Sequence, residues 1–307
     1  MIVNKNISFF NYSILAIALL IMFVSCGNHI KTNERFNAIE LKPDIYRFEN
    51  PDTITIVLAG HLYPVLYFPG IFDTLIIEIK KVNPDLVLFL GDITVNYSDK
   101  EWDLFLAQAN KLNVPFYITP GNHDIRYNND KPPLLVNNDK EAEEVYLSNI
   151  GYRYKLIIDN FTNYILINSN DSVNHIIDFL VAIKPDIDTN KRVFVISHHE
   201  LWSNNIRSLE AKSWVEKPFS LSQLEPHIDF AQILISGNWG KKFVRTKINT
   251  KNNIFEVIKS GNRIKGDKLF FTELKVTNDS IIAHPIIVPI NRSSAWFDKK
   301  KLITDIK

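Results

Sequence analysis

Runs of apolar residues along the first half of the chain alternate with stretches whose apolar residues recur at helical spacing. The continuous runs predict buried strands of a parallel sheet, and they lie at 53–59, 86–90 and 114–119. A helix is predicted between the first two strands, where the apolar positions from Ile71 to Val82 follow a 3.6-residue period. Ser98 and Glu101 form a capping box that begins the next helix. This alternation predicts parallel strands joined by right-handed crossovers.

The second half of the chain shows the same pattern less regularly. Further buried strands are predicted at 164–168, 193–197 and 232–236, with one helix near 176–183. After Phe255 the pattern changes to three alternating strands without helices, which we expect to pair antiparallel and complete a second sheet; they lie at 254–260, 269–276 and 281–288. The predicted fold class is α/β, with two mixed β-sheets packed as a sandwich and flanked by helices.

We assign this fold to one domain at 53–290, followed by a C-terminal tail at 291–307. A division into two domains near Asn170 is the alternative. The N-terminal 52 residues have a different character. Lys5 precedes an unbroken apolar run from Ile14 to Val24, which small residues follow, and this order is typical of a secretory signal. The run is too short to cross a bilayer easily, since a spanning helix needs about 20 residues.

The sequence that ends this run, Val24-Ser25-Cys26-Gly27, resembles the lipobox of bacterial lipoproteins. The resemblance implies a signal peptide at 1–25, a lipidated Cys26 at the start of the mature chain, and a tether at 26–52. Phe23 departs from the Leu that the motif prefers, and an uncleaved membrane anchor is the alternative. We therefore expect a lipid-anchored protein of the bacterial cell envelope that contacts the membrane through Cys26 and faces outside the cytoplasm.

Composition narrows the class of protein further. With 46% hydrophobic and 22% charged residues, the chain is neither disordered nor a coiled coil. Its net charge of +1 gives no reason to expect nucleic acid as a partner. Removal of residues 1–25 takes away Lys5 alone among the charged residues, which leaves the mature chain without net charge. Cys26 is the single cysteine, so an intrachain disulfide and a Cys-rich zinc site are excluded.

Polar side chains with metal-binding chemistry follow the predicted strands, at the edge where ligands bind in open α/β sheets. They are His61, Asp92, Asn122-His123-Asp124, His198-His199 and Asn238. Imidazole, carboxylate and amide oxygen together suit Mn, Fe or Zn. Because adjacent residues of a strand face opposite ways, we expect only one of His198 and His199 to reach the site.

This ordered series resembles the calcineurin-like metallophosphoesterase family over roughly residues 53–245, and Gly121-Asn122-His123-Asp124 is its most diagnostic part. The resemblance implies a four-layer sandwich and two adjacent metal ions that activate water and clamp a phosphoester. Asp92 would bridge the metals and His61 would bind the first, while Asn122 and His198 would bind the second. His123 would face the substrate as a catalytic residue, with Asp124 holding its ring.

Three of the seven ligand positions in this pattern carry other residues, namely Ala59, Asn238 and Gly240. The first site would keep His61 and the shared Asp92. The second would keep Asp92, Asn122 and His198, with Asn238 as a weak amide ligand at most. We therefore expect one divalent metal at most, or none.

Two functions follow from these residues. One is metal-dependent hydrolysis of a small phosphoester with one metal or with unforeseen ligands. The other is a catalytically inactive pseudoenzyme that acts as a binding or scaffold module. An unrelated α/β protein with chance turn motifs is the third interpretation.

Overall fold

The computed structural model describes residues 36–50, 52–66, 69–125, 140–200, 221–238, 243–262 and 268–289. The predicted signal peptide at 1–25, Cys26, Gly240 and the tail at 291–307 lie outside these residues. No helix in the described ranges combines the length and apolar character that a membrane span requires.

Strands and helices alternate through most of the described chain. The strands are β1 (Asp44–Ile45), β2 (Ile54–Ala59), β3 (Leu86–Phe89), β4 (Phe116–Ile118), β5 (Lys155–Ile158), β6 (Thr162–Ile167), β7 (Arg192–Ser197), β8 (Ile233–Ser236), β9 (Val244–Asn249), β10 (Ile254–Lys259), β11 (Lys268–Val276) and β12 (Ile281–Pro289). The helices are α1 (Ala38–Leu41), α2 (Tyr63–Leu66), α3 (Pro69–Val82), α4 (Asp99–Ala109), α5 (Asn122–Ile125), α6 (Lys140–Ile150), α7 (Val173–Ile183) and α8 (Leu221–Ile228). Short 3₁₀ turns follow α4 and α7.

The first sheet has the strand order β12-β11-β2-β3-β4. β2, β3 and β4 are parallel, as the strand–helix alternation predicts. β11 pairs antiparallel with β2, and β12 pairs antiparallel with β11. The carboxyl ends of the three parallel strands therefore lie along one edge, where His61, Asp92 and Asn122 follow them.

The second sheet has the strand order β1-β5-β6-β7-β8-β10-β9. β6, β7, β8 and β10 run parallel. β5 pairs antiparallel with β6 and parallel with β1, and β9 pairs antiparallel with β10. The expectation for the three C-terminal strands is thus wrong in part. β10 joins β8 in parallel, and the β11–β12 hairpin extends the first sheet. Alternation of polar and apolar residues predicts a strand but does not specify its partner.

Two apolar clusters hold the layers together. One cluster takes side chains from both sheets, for example Ile56 and Leu88 of the first and Ile196 and Ile258 of the second, so it lies between them. The other cluster joins the opposite face of the first sheet to α3 and α4. Both faces of β2 and β3 are therefore buried, which explains their continuous apolar sequences. The fold is the predicted sandwich of two mixed sheets with flanking helices.

Candidate metal centre

The loops after β2 and β3 are joined by backbone hydrogen bonds. The N–H of His61 donates to the carbonyl of Gly91 at 2.9 Å, and that of Tyr63 donates to the carbonyl of Asp92 at 2.7 Å. His61 and Asp92 both adopt left-handed backbone conformations, with φ of 57° and 56°. Such values are uncommon for residues other than glycine and concentrate at functional sites. These loops therefore hold the two side chains in a fixed relation.

The carboxylate of Asp92 lies between two buried imidazoles. Its Oδ2 atom is 3.4 Å from Nε2 of His61 and 3.3 Å from Nε2 of His198. The two rings are nearly parallel, with their centroids 6.4 Å apart. Asp92 and the two histidines are all less than a tenth exposed. The structure thus brings together three residues that the sequence predicts as metal ligands, with Asp92 at the centre.

His198 is oriented by the backbone. Its Nδ1 lies 2.8 Å from the carbonyl oxygen of Leu90, so Nδ1–H donates to that oxygen. Its Nε2 faces Asp92 and has no hydrogen-bond partner among the described residues. Metal-binding histidines are commonly held in this way, with one ring nitrogen donating to a carbonyl and the other left as a lone pair. The same geometry also suits an imidazolium that is paired with the carboxylate.

Burial and charge act against each other in this cluster. Burial alone would raise the pKa of Asp92, but His198, His123 and His61 outweigh it and hold the pKa well below its usual range. Burial lowers the pKa of His198, and the adjacent Asp92 more than reverses this, so the pKa is raised. For His61, burial prevails over Asp92 and lowers the pKa to about 4. Asp92 and His198 therefore each favour the charged form of the other, whereas burial disfavours the charged form of His61.

Asn122 begins α5 and is contacted by His199. Nε2 of His199 lies 3.2 Å from the amide oxygen of Asn122, and Nδ1 lies 2.9 Å from Oγ of Ser169. The expectation that only one of the two adjacent histidines reaches the site is wrong. β7 ends at Ser197, so strand alternation no longer applies to the two histidines that follow it. Their rings are 4.7 Å apart and nearly perpendicular.

His123 lies beside an aromatic ring that the sequence reasoning missed. The ring of Tyr63 stacks on that of His123, with centroids 4.4 Å apart and 20° between the planes. Nδ1 of His123 is 3.3 Å from the carbonyl oxygen of Val95, and the backbone N–H of His123 donates to Oδ1 of Asp92 at 3.1 Å. Tyr63 lies two residues after His61, and this closeness in sequence could have identified Tyr63 as a residue of the site.

Both carboxylate oxygens of Asp124 accept hydrogen bonds from the backbone. Oδ2 accepts from Asp92 and Gly121, and Oδ1 accepts from Ile93 and Thr94, all at 2.8–2.9 Å. Burial and the negative charge of Asp92 nevertheless raise the pKa of Asp124 to about 6. Asp124 thus ties the loop after β3 to the loop after β4. The family resemblance implies a different role for Asp124, which is to hold the ring of His123.

The three positions that depart from the family pattern differ in their surroundings. Ala59 ends β2 fully buried, and it belongs to the apolar cluster on the helical side of the sheet. Asn238 is half-buried, and its N–H donates to the carbonyl of His198 at 2.7 Å. Gly240 lies outside the described residues. The apolar environment of Ala59 offers no donor where the pattern requires a carboxylate.

Each side of Asp92 therefore has one imidazole. Across the described ranges, no group of three or more His, Cys, Asp or Glu side chains is placed to hold a metal ion. Catalytic metal sites generally use three protein ligands and an open position. The amide oxygen of Asn122, which would be a third ligand beside Asp92 and His198, already accepts from His199. The described donors therefore do not fit a two-metal centre.

Comparison with known proteins assigns the family. The two-sheet sandwich and the strand-end Asp, Asn and His residues define a class of phosphoesterase-like α/β proteins. The family model described as calcineurin-like phosphoesterase matches residues 65–238, which is more than half of the 307 residues. This chain belongs to the calcineurin-like phosphoesterase family.

One curated relative is a probable glycerophosphodiester phosphodiesterase from Arcobacter nitrofigilis. It is 54% identical over 44 residues, which are 14% of this chain and 16% of the relative. The match therefore covers a small part of both proteins.

Two solved structures resemble this fold at low sequence identity. The purple acid phosphatase PPD1 from yellow lupin (Lupinus luteus) has a TM-score of 0.56 and 12% identity, over 80% of this chain and 55% of that one. A dimetal phosphatase from Danio rerio has a TM-score of 0.48 and 12% identity, over 78% of this chain and all of that one. This chain spans about half the length of the lupin phosphatase, and the likeness concerns the fold alone.

Proposed function

We propose that this protein is a calcineurin-like phosphoesterase-family member of the bacterial cell envelope whose metal centre is degenerate, and that it acts as a binding or scaffold module. The observation that carries the proposal is the environment of Ala59. This residue occupies the strand-end position of a metal-binding carboxylate, and it is buried in an apolar cluster. His61 and Asp92 are then the described donors of the first site.

The second site supports the same proposal. It keeps Asp92, His198 and Asn122, but the amide oxygen of Asn122 accepts a hydrogen bond from His199. Asn238 replaces a histidine ligand of the family pattern, and an amide oxygen binds a divalent ion more weakly than an imidazole does. The second site thus keeps fewer strong donors than the family pattern supplies.

The orientation of His198 favours a second candidate function, phosphoester hydrolysis with one divalent metal, Mn, Fe or Zn. Asp92, His198 and Asn122 would hold the ion, since Nδ1–H of His198 donates to Leu90 and leaves Nε2 directed at Asp92. When bound, a divalent ion supplies an activated water and stabilises negative charge on the phosphate. His123, half-buried and stacked on Tyr63, would face the substrate and protonate its leaving oxygen.

Hydrolysis of a chromogenic phosphodiester separates the two candidates. The purified protein and its His123→Ala variant are assayed with Mn²⁺, Fe²⁺ or Zn²⁺ in excess. For a degenerate centre we expect equal rates, because no assembled metal site uses His123. A wild-type rate that exceeds the variant's by about 100-fold, as expected for loss of a general acid, would establish hydrolysis and overturn the scaffold proposal.

Restoring the three replaced ligands tests whether these positions alone account for the loss of metal binding. The variant combines Ala59→Asp, Asn238→His and Gly240→His, and its metal content is measured by elemental analysis. Because the loops that hold His61, Asp92 and Asn122 are intact, we expect it to retain metal where the wild type does not. A restored variant that folds but gains no metal would show that the site has changed beyond these three positions.

We further propose that Cys26 is lipidated and attaches the domain to the membrane by way of the tether. The lipobox-like sequence and the preceding apolar run support this anchoring.

A further inference from the structure

A segment near the start of the domain, residues 39–47, runs along one edge of the sandwich. It contains β1, which pairs in parallel with β5, and the N–H of Tyr46 continues this pairing by donating to the carbonyl of Ile158 at 2.8 Å. Tyr117 of β4 donates its O–H to Oδ2 of Asp44 at 2.6 Å. Because β4 is a strand of the first sheet and β5 a strand of the second, this edge segment contacts both sheets.

Two buried charged residues fix the edge segment to the domain. Glu40 is fully buried and accepts from the backbone N–H of Arg153 at 2.9 Å and from its Nε at 3.1 Å. Lys155 is 2% exposed, and its Nζ donates to the carbonyl oxygens of Ile39 and Lys42 at 2.8 Å and 2.9 Å. Separation of a buried charge from its partners is strongly unfavourable. The outward side chains of the edge segment are therefore presented on a fixed backbone.

The outward side of the edge segment combines apolar and basic side chains. Ile39 is 54% exposed and Ile45 is 67% exposed, and the side chains of Lys42 and Arg47 are exposed as well. The ring of Tyr46 packs against the cluster between the sheets, so Ile45 and Arg47 on either side of it face away from that cluster. A single exposed isoleucine is ordinary on a protein surface. Two of them interleaved with two cations in one short segment are typical of a surface that binds anionic membranes.

The position of the edge segment in the chain favours the membrane as its partner. Ile39 follows Cys26 by 13 residues, and an extended chain spans at most about 3.6 Å per residue, so lipid on Cys26 would keep the segment within about 47 Å of the bilayer. A second contact made through so short a tether has an effective concentration on the order of millimolar. Among the exposed charged residues at 39–50, Lys42 and Arg47 outnumber Glu49, which complements an anionic lipid surface.

We propose that the edge segment docks on an anionic lipid surface, with Ile39 and Ile45 entering the boundary between headgroups and acyl chains and with Lys42 and Arg47 contacting lipid phosphates. The inference rests on the lipid anchor proposed at Cys26. It adds a fixed orientation to that anchor, because the outer edge of β1 then faces the bilayer.

The test measures how close two labelled positions come to the lipid. Lipid-modified full-chain protein is reconstituted in vesicles of phosphatidylethanolamine and phosphatidylglycerol that contain a spin-labelled quencher lipid. A thiol-reactive fluorophore is attached at Ile45→Cys or, as the matched control, at Ile254→Cys; the lipidated Cys26 has no free thiol. Both isoleucines are 67% exposed, and β1 and β10 are five strand spacings apart in the second sheet, which is about 24 Å. We expect quenching at position 45 to exceed that at position 254 by about twofold or more, since docked side chains reach about 5–10 Å into the boundary.

Charge reversal tests the role of the two cations. Lys42→Glu with Arg47→Glu places two acids beside Ile45, and we expect quenching at position 45 to fall to the value measured at position 254. Lys247→Glu with Lys251→Glu is the matched control, because both lysines are exposed and lie beside β10. We expect this control to leave quenching at position 45 unchanged.

Three results would overturn the inference. The first is equal quenching at the two positions or stronger quenching at position 254. The second is quenching at position 45 that persists when Lys42 and Arg47 are reversed. The third is an unquenched probe at position 45 together with disulfide-linked dimers of the unlabelled Ile45→Cys variant, which would make a second copy of this chain the partner.

Flotation of the same vesicles separates this inference from the proposed anchor. Protein that floats and carries lipid, but shows no selective quenching at position 45, would leave the anchor standing and reject the docking surface. Protein that carries no lipid and does not float would reject the anchor, and the docking that depends on it would be rejected too.

Discussion

At the scale of single residues, Asp92 is held by close approach of its neighbours. A Cβ atom added to Gly121 would lie 2.3 Å from both the backbone nitrogen and Oδ1 of Asp92. Since real Cβ atoms do not approach other atoms so closely, any side chain at position 121 must displace the carboxylate. The glycine of Gly121-Asn122 is therefore required by packing around Asp92.

Gly121→Ala tests this packing. We expect it to lower the free energy of unfolding by about 2 kcal/mol or more, as overpacking and backbone displacement do. The measurement is urea denaturation monitored by circular dichroism. Gly70→Ala is the matched control, because a Cβ at Gly70 meets nothing within 4 Å and this glycine lies in α3. We expect Gly70→Ala to change the free energy of unfolding by about 0.5 kcal/mol at most. Equal effects of the two substitutions would contradict the account.

The sequence predicted the site at this scale only in part. Strand ends and motif order placed His61, Asp92 and Asn122 along one edge of the first sheet, since parallel strands end together, whereas His198 follows β7 of the second sheet. The bond of His199 to Asn122 could not be predicted in this way. It depends on side-chain rotamers after β7 ends, where the period of the strand no longer constrains direction.

At the scale of elements, the capping box predicted for α4 is confirmed. Ser98 accepts from the backbone of Glu101, and the carboxylate of Glu101 accepts in return from the backbone of Ser98. The same carboxylate accepts from the N–H groups of Val95 and Asn96 at 3.1 Å and 3.0 Å. The carbonyl of Val95 in turn contacts His123. One buried acid thus joins the start of a helix to the loop beside the site.

Glu101→Ala therefore removes more than a cap. We expect a loss of about 3 kcal/mol in the free energy of unfolding, because several N–H groups lose a charged acceptor. Ser98→Ala removes the cap and one hydroxyl donor to Glu101 but leaves the other N–H donors in place, and we expect a loss of about 1 kcal/mol. Glu144→Ala is the control, since the side chain of Glu144 is 66% exposed and its pairing with Lys140 contributes about 0.5 kcal/mol at most. Denaturation curves for the three variants check the order, and a Glu101→Ala effect no larger than that of Ser98→Ala would contradict it.

The pattern of apolar residues predicted nine of the described strands and missed β1, β5 and β9, two of them for identifiable reasons. β9 is polar along most of its length and exposed, so it carries little apolar signal. β1 has two residues, which is too short for periodicity to show. The pattern predicted that β10 pairs antiparallel with the other C-terminal strands, and it missed the parallel pairing with β8, which depends on contacts between distant parts of the chain.

At the scale of the whole molecule, the proposal combines an anchored N-terminus with a phosphoesterase-family domain. Cys26 lies outside the described residues. Anchoring by lipid and anchoring by the apolar run itself make different predictions.

Cys26→Ser distinguishes the two kinds of anchor. If lipid on Cys26 anchors the protein, we expect the variant not to acquire lipid, and its mature-length form to move out of the membrane fraction. Cell fractionation followed by immunoblotting measures the distribution, and mass spectrometry of the wild-type N-terminus identifies the lipid. The apolar run from Ile14 to Val24 would be the anchor if the wild type carries no lipid and the Cys26→Ser variant stays in the membrane fraction.

The central claim is that the centre around Asp92 holds no stoichiometric metal. The most direct test is elemental analysis of the purified wild-type protein, prepared without chelator and after incubation with Mn²⁺, Fe²⁺ and Zn²⁺ in turn. We expect the wild-type protein to retain well below one equivalent of each metal per chain. One or two tightly bound equivalents, lost on Asp92→Asn substitution, would contradict it.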